Sequence, residues 1–273
     1  MNRREFLSIT AAGIAAGIPA SVRAGHVPSR SPITAIAFDA FPILDPRPVL
    51  TLAERHFPGR GAALVDAWRT RQFEYQWLRA LSAHYADFRR ATADGLEFAA
   101  ELLKLELTPA KRDSLTGSYL ELEAWPDVPP ALEELRRAGM RLAILSNATP
   151  DILDAGIARS RLAGMFEHVL STDAVRTYKP DPRAYRLAID AIGVSKTSVL
   201  FVAFAGWDAA GAKSYGFPTY WINRSSLPGE RLGVRPDGIG TDMRDLVAFV
   251  RAGDSARPQC SRPSTPFFQW EDP

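Results

Sequence analysis

Five short segments are predicted to be strands, and the first of them, residues 33–38, is an almost continuous apolar run. A run of this length is typical of a strand buried on both faces of a parallel sheet. The five segments cover residues 33–38, 141–145, 168–171, 199–203 and 218–222. Helical patterns follow or separate the later runs and cover residues 129–138, 151–159, 182–192, 206–215 and 243–251. Strands that alternate with helices predict a parallel sheet with right-handed crossovers.

The segment after the first run has no strand-like alternation. Pro46 and Pro48 indicate a linker, and helix-like spacing of apolar residues follows it. The predicted helices cover residues 62–90, 92–105 and 109–123. Thr108 is the expected N-cap ahead of Pro109. The aromatic and arginine-rich stretch in the first of these helices is interpreted, for most of its residues, as a helix packing face.

These patterns predict an α/β fold: a three-layer α/β/α parallel-sheet core of the Rossmann-like type, with an all-helical cap inserted after the first strand. The core is assigned to residues 32–46 and 125–251, and the cap to residues 47–124. Residues 252–273 are polar and rich in Pro, which predicts a disordered tail.

The N-terminus predicts a secretory signal with a twin-arginine address over residues 1–24. Arg3 and Arg4 precede a stretch of small apolar residues, and Val22 and Ala24 suit the −3 and −1 positions of a cleavage site. The apolar stretch is too short and too rich in Ala and Gly for a comfortable membrane span. The sequence therefore predicts a periplasmic protein, exported by the twin-arginine machinery, with no membrane anchor after cleavage. The alternative is an ordinary amphipathic N-terminal helix.

Charge and cysteine content remove several classes of function. The formal net charge is +2, which gives no general footprint for nucleic acid. The single cysteine, Cys260, can form no internal disulfide and has no second thiol for a zinc site.

Asp39 follows the first apolar run, at the end of a strand where open α/β sheets bind their ligands. Pro42 is expected to stop the strand, since it has no N–H for the sheet. Asp39 is thus either a site carboxylate or an N-cap or turn aspartate.

Three strand ends and one loop carry polar groups that favour the first interpretation. They are Asp39, the pair Ser146 and Asn147, Asp208, and Lys179 in the loop. In a parallel sheet such ends converge on one crevice. A carboxylate nucleophile with a lysine, a hydroxyl–amide pair and a second carboxylate makes a coherent site for displacement through a covalent ester.

With these residues in place, the sequence resembles the haloacid dehalogenase superfamily, and specifically the (S)-2-haloacid dehalogenases. The resemblance covers most of residues 33–250. FDAF resembles the nucleophile segment of the family. Three later segments resemble its helical cap: FPGRG, WRTRQFEYQWLR and YADF. Three further segments resemble the later motifs of the family: LAILSN, YKPDPRAY and WDAAGAKSYGFPTYWINR.

The resemblance implies roles for individual residues. Asp39 would attack C2 of a short 2-haloacid and expel halide with inversion. Arg69 would face the departing halide. Without the resemblance, Arg69 would be interpreted as part of a surface salt bridge. Asp208 would pair with Lys179 and help to activate water. The residues implied in holding the substrate or the nucleophile are Ser146, Asn147, Lys179 and Tyr185. The residues implied in shaping the apolar pocket are Phe41, Phe73, Phe88 and Trp207.

Two aromatic residues lie where phosphatases of this superfamily carry metal-binding acids. Phe41 stands two residues after the nucleophile, and Phe204 stands at the later acidic position. A hard cation would have too few oxygen ligands there. We therefore expect a metal-independent enzyme without a cofactor.

The chain also departs from the family pattern. Pro42 and Ile43 replace the Gly-Thr pair after the nucleophile, and Ala203 and Ala205 replace the Ser and Asn that position the hydrolytic water. Ester formation is therefore better supported than ester hydrolysis. The leading prediction is a 2-haloacid dehalogenase, and the alternative is a non-catalytic periplasmic protein that binds small carboxylates. The oligomeric state is left open, with a homodimer as one arrangement.

Overall fold

A computed structural model describes residues 32–255. Six parallel strands form one sheet in the order β3-β2-β1-β4-β5-β6. The strands are β1 (Ala35–Phe38), β2 (Arg141–Ser146), β3 (His168–Ser171), β4 (Val199–Ala203), β5 (Thr219–Ile222) and β6 (Gly238–Gly240). The α/β prediction is confirmed, and β6 is a strand that the sequence did not suggest.

Ten α-helices in the described part of the chain surround or extend from this sheet. They are α1 (Ala40–Ile43), α2 (Arg47–His56), α3 (Gly61–Leu81), α4 (Phe88–Leu102), α5 (Pro109–Gly117), α6 (Val128–Arg137), α7 (Pro150–Arg159), α8 (Pro182–Ile192), α9 (Gly206–Tyr215) and α10 (Met243–Ser255). None of these helices, within residues 32–255, combines the length and apolar character that a membrane crossing requires.

The sheet separates two apolar clusters because side chains along a strand alternate between its faces. In β1, Ile36 and Phe38 join one cluster, which includes residues of α6 and α10. Ala35 and Ala37 join the other cluster, which includes residues of α8 and α9. All four β1 residues are fully buried. This arrangement produces the three layers, with β1 central and its carboxyl end flanked by those of β2 and β4.

Helices α2–α5, here called the cap helices, lie in sequence between β1 and β2. Apolar residues from these helices, including Leu64, Trp68 and Leu96, belong to the same cluster as Ile36 and Phe38. Where the chain leaves and re-enters the sheet region, Leu44 and Ala124 form an antiparallel bridge. The assignment of cap and core as separate domains stays a prediction.

Three predicted boundaries in or near the first cap helices are wrong. Strand β1 ends at Phe38, and Pro42 lies in the helical turn α1. The expected linker at Pro46 and Pro48 is the start of α2, since Pro lacks the N–H that a first helical turn leaves unbonded. The helical pattern over residues 62–90 is two helices, because Asp87 caps α4 by accepting from the Arg90 N–H at 2.8 Å.

The predicted helix over residues 109–123 begins as expected, with Thr108 accepting from the Lys111 N–H at 3.3 Å, but α5 ends at Gly117 and a 3₁₀ turn follows over Ser118–Glu121. The predicted disordered tail started at residue 252, whereas α10 continues to residue 255. Residues 256–273 and the predicted signal over residues 1–24 lie outside the described residues.

Candidate active site

Asp39 follows β1 directly and caps α1. Its Oδ2 accepts from the Phe41 N–H at 3.5 Å, which is a long contact. Its Oδ1 accepts from Lys179 Nζ at 2.8 Å. Asp39 therefore caps a turn and also pairs with Lys179, and the ion pair is the shorter contact. Its role as a site carboxylate stays a prediction.

Lys179 joins two carboxylates that are far apart in the sequence. Besides Asp39 it donates to Asp208 Oδ2 at 2.5 Å, from the first turn of α9. Lys179 and Asp208 are each 1% exposed, whereas Asp39 is 8% exposed. The three side chains form the predicted constellation, and Asp39 is its most accessible member.

Burial and charge act against each other in this group. Burial favours the neutral form of Lys179, but attraction to Asp208 and Asp39 outweighs it and the pKa of Lys179 is raised. Burial raises the pKa of Asp208 to about 6, an effect that Lys179 opposes and the neighbouring Asp39 reinforces. The group thus holds a cationic lysine between an accessible carboxylate and a buried one that titrates near neutrality.

Tyr185 lies in the same polar network, as expected. Its hydroxyl donates to Asp208 Oδ1 at 2.7 Å, and the side chain is fully buried. Burial, followed by the charge of Asp208, raises the pKa of Tyr185 well above its usual value, so it stays a donor. A Cβ at Gly211 would lie 2.5 Å from this hydroxyl, so α9 needs Gly there. Direct contact of Tyr185 with a substrate stays a prediction.

Ser146 is the last residue of β2 and Asn147 is the residue after it, and the two side chains have different partners. Asn147 Oδ1 accepts from the Lys179 backbone N–H at 2.9 Å and from Thr172 Oγ1 at 3.3 Å. Ser146 Oγ accepts from the Ala148 N–H at 3.1 Å. Asn147 therefore fixes the loop that carries the lysine, while the Ser146 side chain is occupied locally.

An aromatic cluster from α3 and α9 packs beside Lys179. Trp207 makes edge-to-face contacts with Phe73 and Trp77, each with ring centroids 5.3 Å apart. Trp77 Nε1 donates to the Lys179 carbonyl oxygen at 3.0 Å. The cap helix α3 therefore contacts the loop that carries Lys179 through Trp77, a contact that the sequence analysis had not assigned.

Arg69 lies one turn before Phe73 on α3 and is half-buried. Its guanidinium carbon is 6.0 Å from the centre of the Phe73 ring. Within residues 32–255 it forms no ion pair, so the surface salt bridge considered for it is not observed. Burial raises the pKa of Tyr119, and the positive charge of Arg69 opposes that effect. Arg69 thus brings an uncompensated positive charge to the aromatic cluster.

The remaining predicted residues occupy two places. Phe41 and Phe204 contact each other with centroids 6.0 Å apart and fill the positions where acids were expected in phosphatases. Phe88 is buried against Tyr119 with centroids 5.6 Å apart, and its contacts lie within the apolar core. In the described part of the chain no three His, Cys, Asp or Glu side chains are grouped to hold a metal ion.

Ala203 and Ala205, the two departures from the family pattern, lie between the end of β4 and the start of α9. Ala203 is the last residue of β4 and is fully buried, and Ala205 is the N-cap of α9 without a side-chain hydrogen bond. Neither side chain can orient a water molecule, because neither has a polar atom.

Gln76 is a contact residue that the sequence analysis missed. It lies on the buried face of α3 and its Oε1 accepts from Asn147 Nδ2 at 3.2 Å. A signal was present: Gln72 and Gln76 are spaced by four, on the same stripe as Trp68 and Leu64. An amide that recurs on an apolar stripe needs a buried partner.

Comparison with known proteins gives a consistent picture. Residues 23–216 match the model of the haloacid dehalogenase-like hydrolases. An (S)-2-haloacid dehalogenase from Pseudomonas sp. (strain YL) is 43% identical over 216 residues, which are 79% of this chain and 93% of the relative.

Solved structures agree with the sequence match. An L-2-haloacid dehalogenase crystal structure superimposes with a TM-score of 0.79 at 43% identity, covering 81% of this chain and all of the other (100%). A structure of the Xanthobacter autotrophicus L-2-haloacid dehalogenase with chloropropionic acid covalently bound gives a TM-score of 0.72 at 34% identity, covering 80% of this chain and 98% of that one. On these matches, the chain belongs to the haloacid dehalogenase-like hydrolase family.

Proposed function

We propose that this protein is an (S)-2-haloacid dehalogenase that displaces halide from short 2-haloalkanoic acids and yields the inverted 2-hydroxy acid. The observation that carries the proposal is the geometry of Asp39. One carboxylate oxygen is held by Lys179 at 2.8 Å, while the other has only a 3.5 Å contact with a backbone N–H. Such a carboxylate is oriented yet keeps an oxygen free to attack.

In the first half-reaction the free oxygen of Asp39 attacks C2 of the substrate from the side opposite the halogen. The carbon–oxygen bond forms as the carbon–halogen bond breaks, and the halide leaves with the bonding electrons. Arg69, cationic under ordinary conditions, stabilises the departing anion. The covalently bound chloropropionic acid in the Xanthobacter autotrophicus relative supports this step.

In the second half-reaction water attacks the carbonyl carbon of the aspartyl ester. Asp208, with a pKa of about 6, accepts a proton from this water when ionised. The bond between the carbonyl carbon and the ester oxygen then breaks, and the ester oxygen takes the proton from Asp208 as the hydroxy acid leaves. The acid formed on Asp39 loses its proton to solvent, which restores the carboxylate. Lys179 stays cationic between the two carboxylates during this sequence.

The second half-reaction is expected to be the slower one, because Ala203 and Ala205 cannot aim the water. Loss of one positioning hydrogen bond costs roughly 2–4 kcal/mol of barrier, or about 10²–10³ in rate. Mixing the protein with (S)-2-chloropropionate should therefore release about one chloride per site in a burst, followed by a slow phase. The mass of the peptide containing Asp39 should rise by that of the substrate less the halide.

The double variant Ala203→Ser, Ala205→Asn tests the cause of the slow phase. It should speed the slow phase by up to about 10³-fold and leave the burst rate unchanged. Steady turnover of the unaltered protein with no burst and no adduct would contradict the ordering of the two rates. Absence of chloride release from several 2-haloacids would contradict the proposed activity itself.

The alternative of a non-catalytic carboxylate-binding protein finds no support, since the relatives described above are named as dehalogenases. Metal independence stays a prediction of Phe41 and Phe204. Chloride release should survive EDTA, and loss of activity that Mg²⁺ restores would contradict it.

We also infer export to the periplasm by the twin-arginine route, with Arg3 and Arg4 as the motivating residues. Changing both to Lys should leave the protein in the cytoplasm when cell fractions are probed with an antibody. Unchanged export of this double variant would contradict the inference. A homodimer remains an arrangement to be examined by light scattering.

A further inference from the structure

Gln76 is fully buried at the contact between α3 and the loop of Lys179, yet half of its amide is unused. Its Oε1 accepts from Asn147 Nδ2 at 3.2 Å. Its Nε2, which carries two N–H donors, has no hydrogen-bond partner among the described residues. An unpaired buried donor is costly, and native proteins rarely retain one without a purpose.

The orientation of this amide follows from the hydrogen bonds around Asn147. The Lys179 backbone N–H can only donate, so the Asn147 atom 2.9 Å from it must be the oxygen. Asn147 therefore presents its NH₂ group to Gln76, and Gln76 must answer with its oxygen. The Gln76 NH₂ group is consequently the one left over, and exchanging the two ends of its amide would set two NH₂ groups against each other.

Two contacts link Gln76 to the residues around Lys179. Asn147 shares its oxygen with the residue whose Nζ holds Asp39 at 2.8 Å. The next residue along α3, Trp77, donates to the Lys179 carbonyl oxygen at 3.0 Å. Gln76 thus stands between the aromatic cluster and the residues that the family resemblance assigns to the substrate carboxylate.

We propose that Gln76 is a specificity-determining residue whose Nε2 donates a hydrogen bond to the carboxylate of the bound 2-haloacid. This inference rests on the proposed function for the identity of the substrate. A neutral amide suits this task because it attracts an anion without pairing with Asp39, as another cation there would. With Asn147 it forms a two-amide donor surface shared between the cap helices and the sheet.

The test measures binding of propionate, a short carboxylate without a leaving group, by titration calorimetry on the full chain at pH 8. Gln76→Leu removes both ends of the amide and should weaken binding by roughly tenfold to a hundredfold. Gln76→Glu keeps an oxygen for Asn147 but replaces the donor with an acidic group. It should weaken binding more than Gln76→Leu, and increasingly so as the pH rises and the new carboxyl ionises.

Gln72→Leu is the matched control, because Gln72 is 3% exposed on the same helix and its Nε2 already donates to Thr92 Oγ1. This variant should lose stability and keep the propionate affinity. If Gln76→Leu fails to fold, Gln76→Met replaces it with an unbranched chain and the same expected loss. Gln76→Glu binding as tightly as the unaltered protein at pH 8 would overturn the proposal, since Gln76 would then act only by holding Asn147.

Chloride release separates this inference from the proposed function. Binding of propionate that depends on Gln76, without chloride release from (S)-2-chloropropionate, would leave the inference standing and overturn the dehalogenase activity. Chloride release with an unchanged KM in Gln76→Leu would support the dehalogenase activity and overturn the inference about Gln76. Failure of the unaltered protein to bind propionate would overturn the inference about Gln76.

Discussion

The carboxyl edge of the sheet and the facing side of α3 use their polar groups in opposite ways. At the sheet edge, Lys179 is bonded to both Asp39 and Asp208, and Asp208 is bonded to Tyr185. On α3, Arg69 has no ion pair among the described residues, and one end of the Gln76 amide is unpaired. Both surfaces are part of one contact region. The polar groups of the sheet edge are paired with one another, apart from Asp39 Oδ2, whereas those two groups of α3 are not.

The difference separates two tasks of an enzyme site. A saturated group is held rigidly, which suits bond formation that needs a fixed attacking atom. Unused donors and charge suit recognition, because they gain their partner only when a ligand arrives. In the proposed mechanism the sheet edge would carry the chemistry, and α3 would carry binding and halide release. Substitutions on the two surfaces should differ in kind as well as in size.

Replacing Asp39, the proposed nucleophile, should have the largest effect. Asp39→Asn keeps the shape and an oxygen for the Phe41 N–H, but an amide oxygen is a far weaker nucleophile than a carboxylate. Chloride release should fall by at least about 10⁴-fold, with no covalent adduct by intact mass. The thermal unfolding midpoint is the control for folding. Retained activity would place the nucleophile elsewhere.

Removing Lys179 should have the second-largest effect. Lys179→Met leaves Asp39 and Asp208 buried without a cation, and breaking such a buried pair costs about 3–5 kcal/mol of unfolding free energy. Lys179 lowers the pKa of Asp208 in the intact protein, so the variant should hold a more strongly raised pKa there. A raised acid pKa in the folded state means that ionisation opposes folding, so the loss should be larger at pH 8 than at pH 5.

Urea unfolding at the two pH values measures this loss. The control is Arg186→Gln, which breaks the exposed pair between Arg186 and Asp190 and should cost less than about 1 kcal/mol at either pH. An equal loss for the two variants would contradict the saturated character of the sheet edge.

A change on α3 should affect the reaction without affecting stability. Arg69→Lys keeps the charge but loses the planar, delocalised guanidinium, and halide release should slow by roughly 10²-fold. Because Arg69 has no ion pair to lose within residues 32–255, the unfolding free energy should stay within about 0.5 kcal/mol. A large stability loss here would show that α3 is as internally bonded as the sheet edge.

The smallest expected effect is that of pH on ester breakdown. Asp208 has a pKa of about 6 and must be ionised to accept a proton from water. The breakdown rate should rise about tenfold from pH 5 to pH 7 and then level off. Single-turnover decay of the adduct measures it, and Asp208→Asn, which cannot titrate, is the control. A flat profile would assign the proton to another group.

The sequence predicted the sheet better than the cap helices. Strands β3 and β4 and helices α8 and α9 begin and end where predicted, because apolar runs and Gly or Pro residues mark their limits. Within the cap helices, helix-like spacing continues across the break between α3 and α4 and hides it. Strand β6 is three residues with Gly at both ends, so it carries no apolar run.

The part of the site that could be predicted is the part that follows from the topology of a parallel sheet. Parallel strand ends meet at one edge, which was enough to bring Asp39, Asn147 and Asp208 together. The contacts of Gln76 and Trp77 with the Asn147–Lys179 region join α3 to residues 71 and 102 positions later in the chain. No local pattern encodes such a pairing, because it depends on how α3 is docked.

The bond from Trp77 Nε1 to the Lys179 carbonyl oxygen has a kinetic consequence. A movement that parts α3 from this loop to admit a substrate or release a hydroxy acid breaks a restraint on the residue that orients the nucleophile. Entry or release of ligands and reaction at Asp39 would then be separate steps of the catalytic cycle. The rate of solvent exchange of the Trp77 indole N–H would therefore report how often α3 and this loop separate.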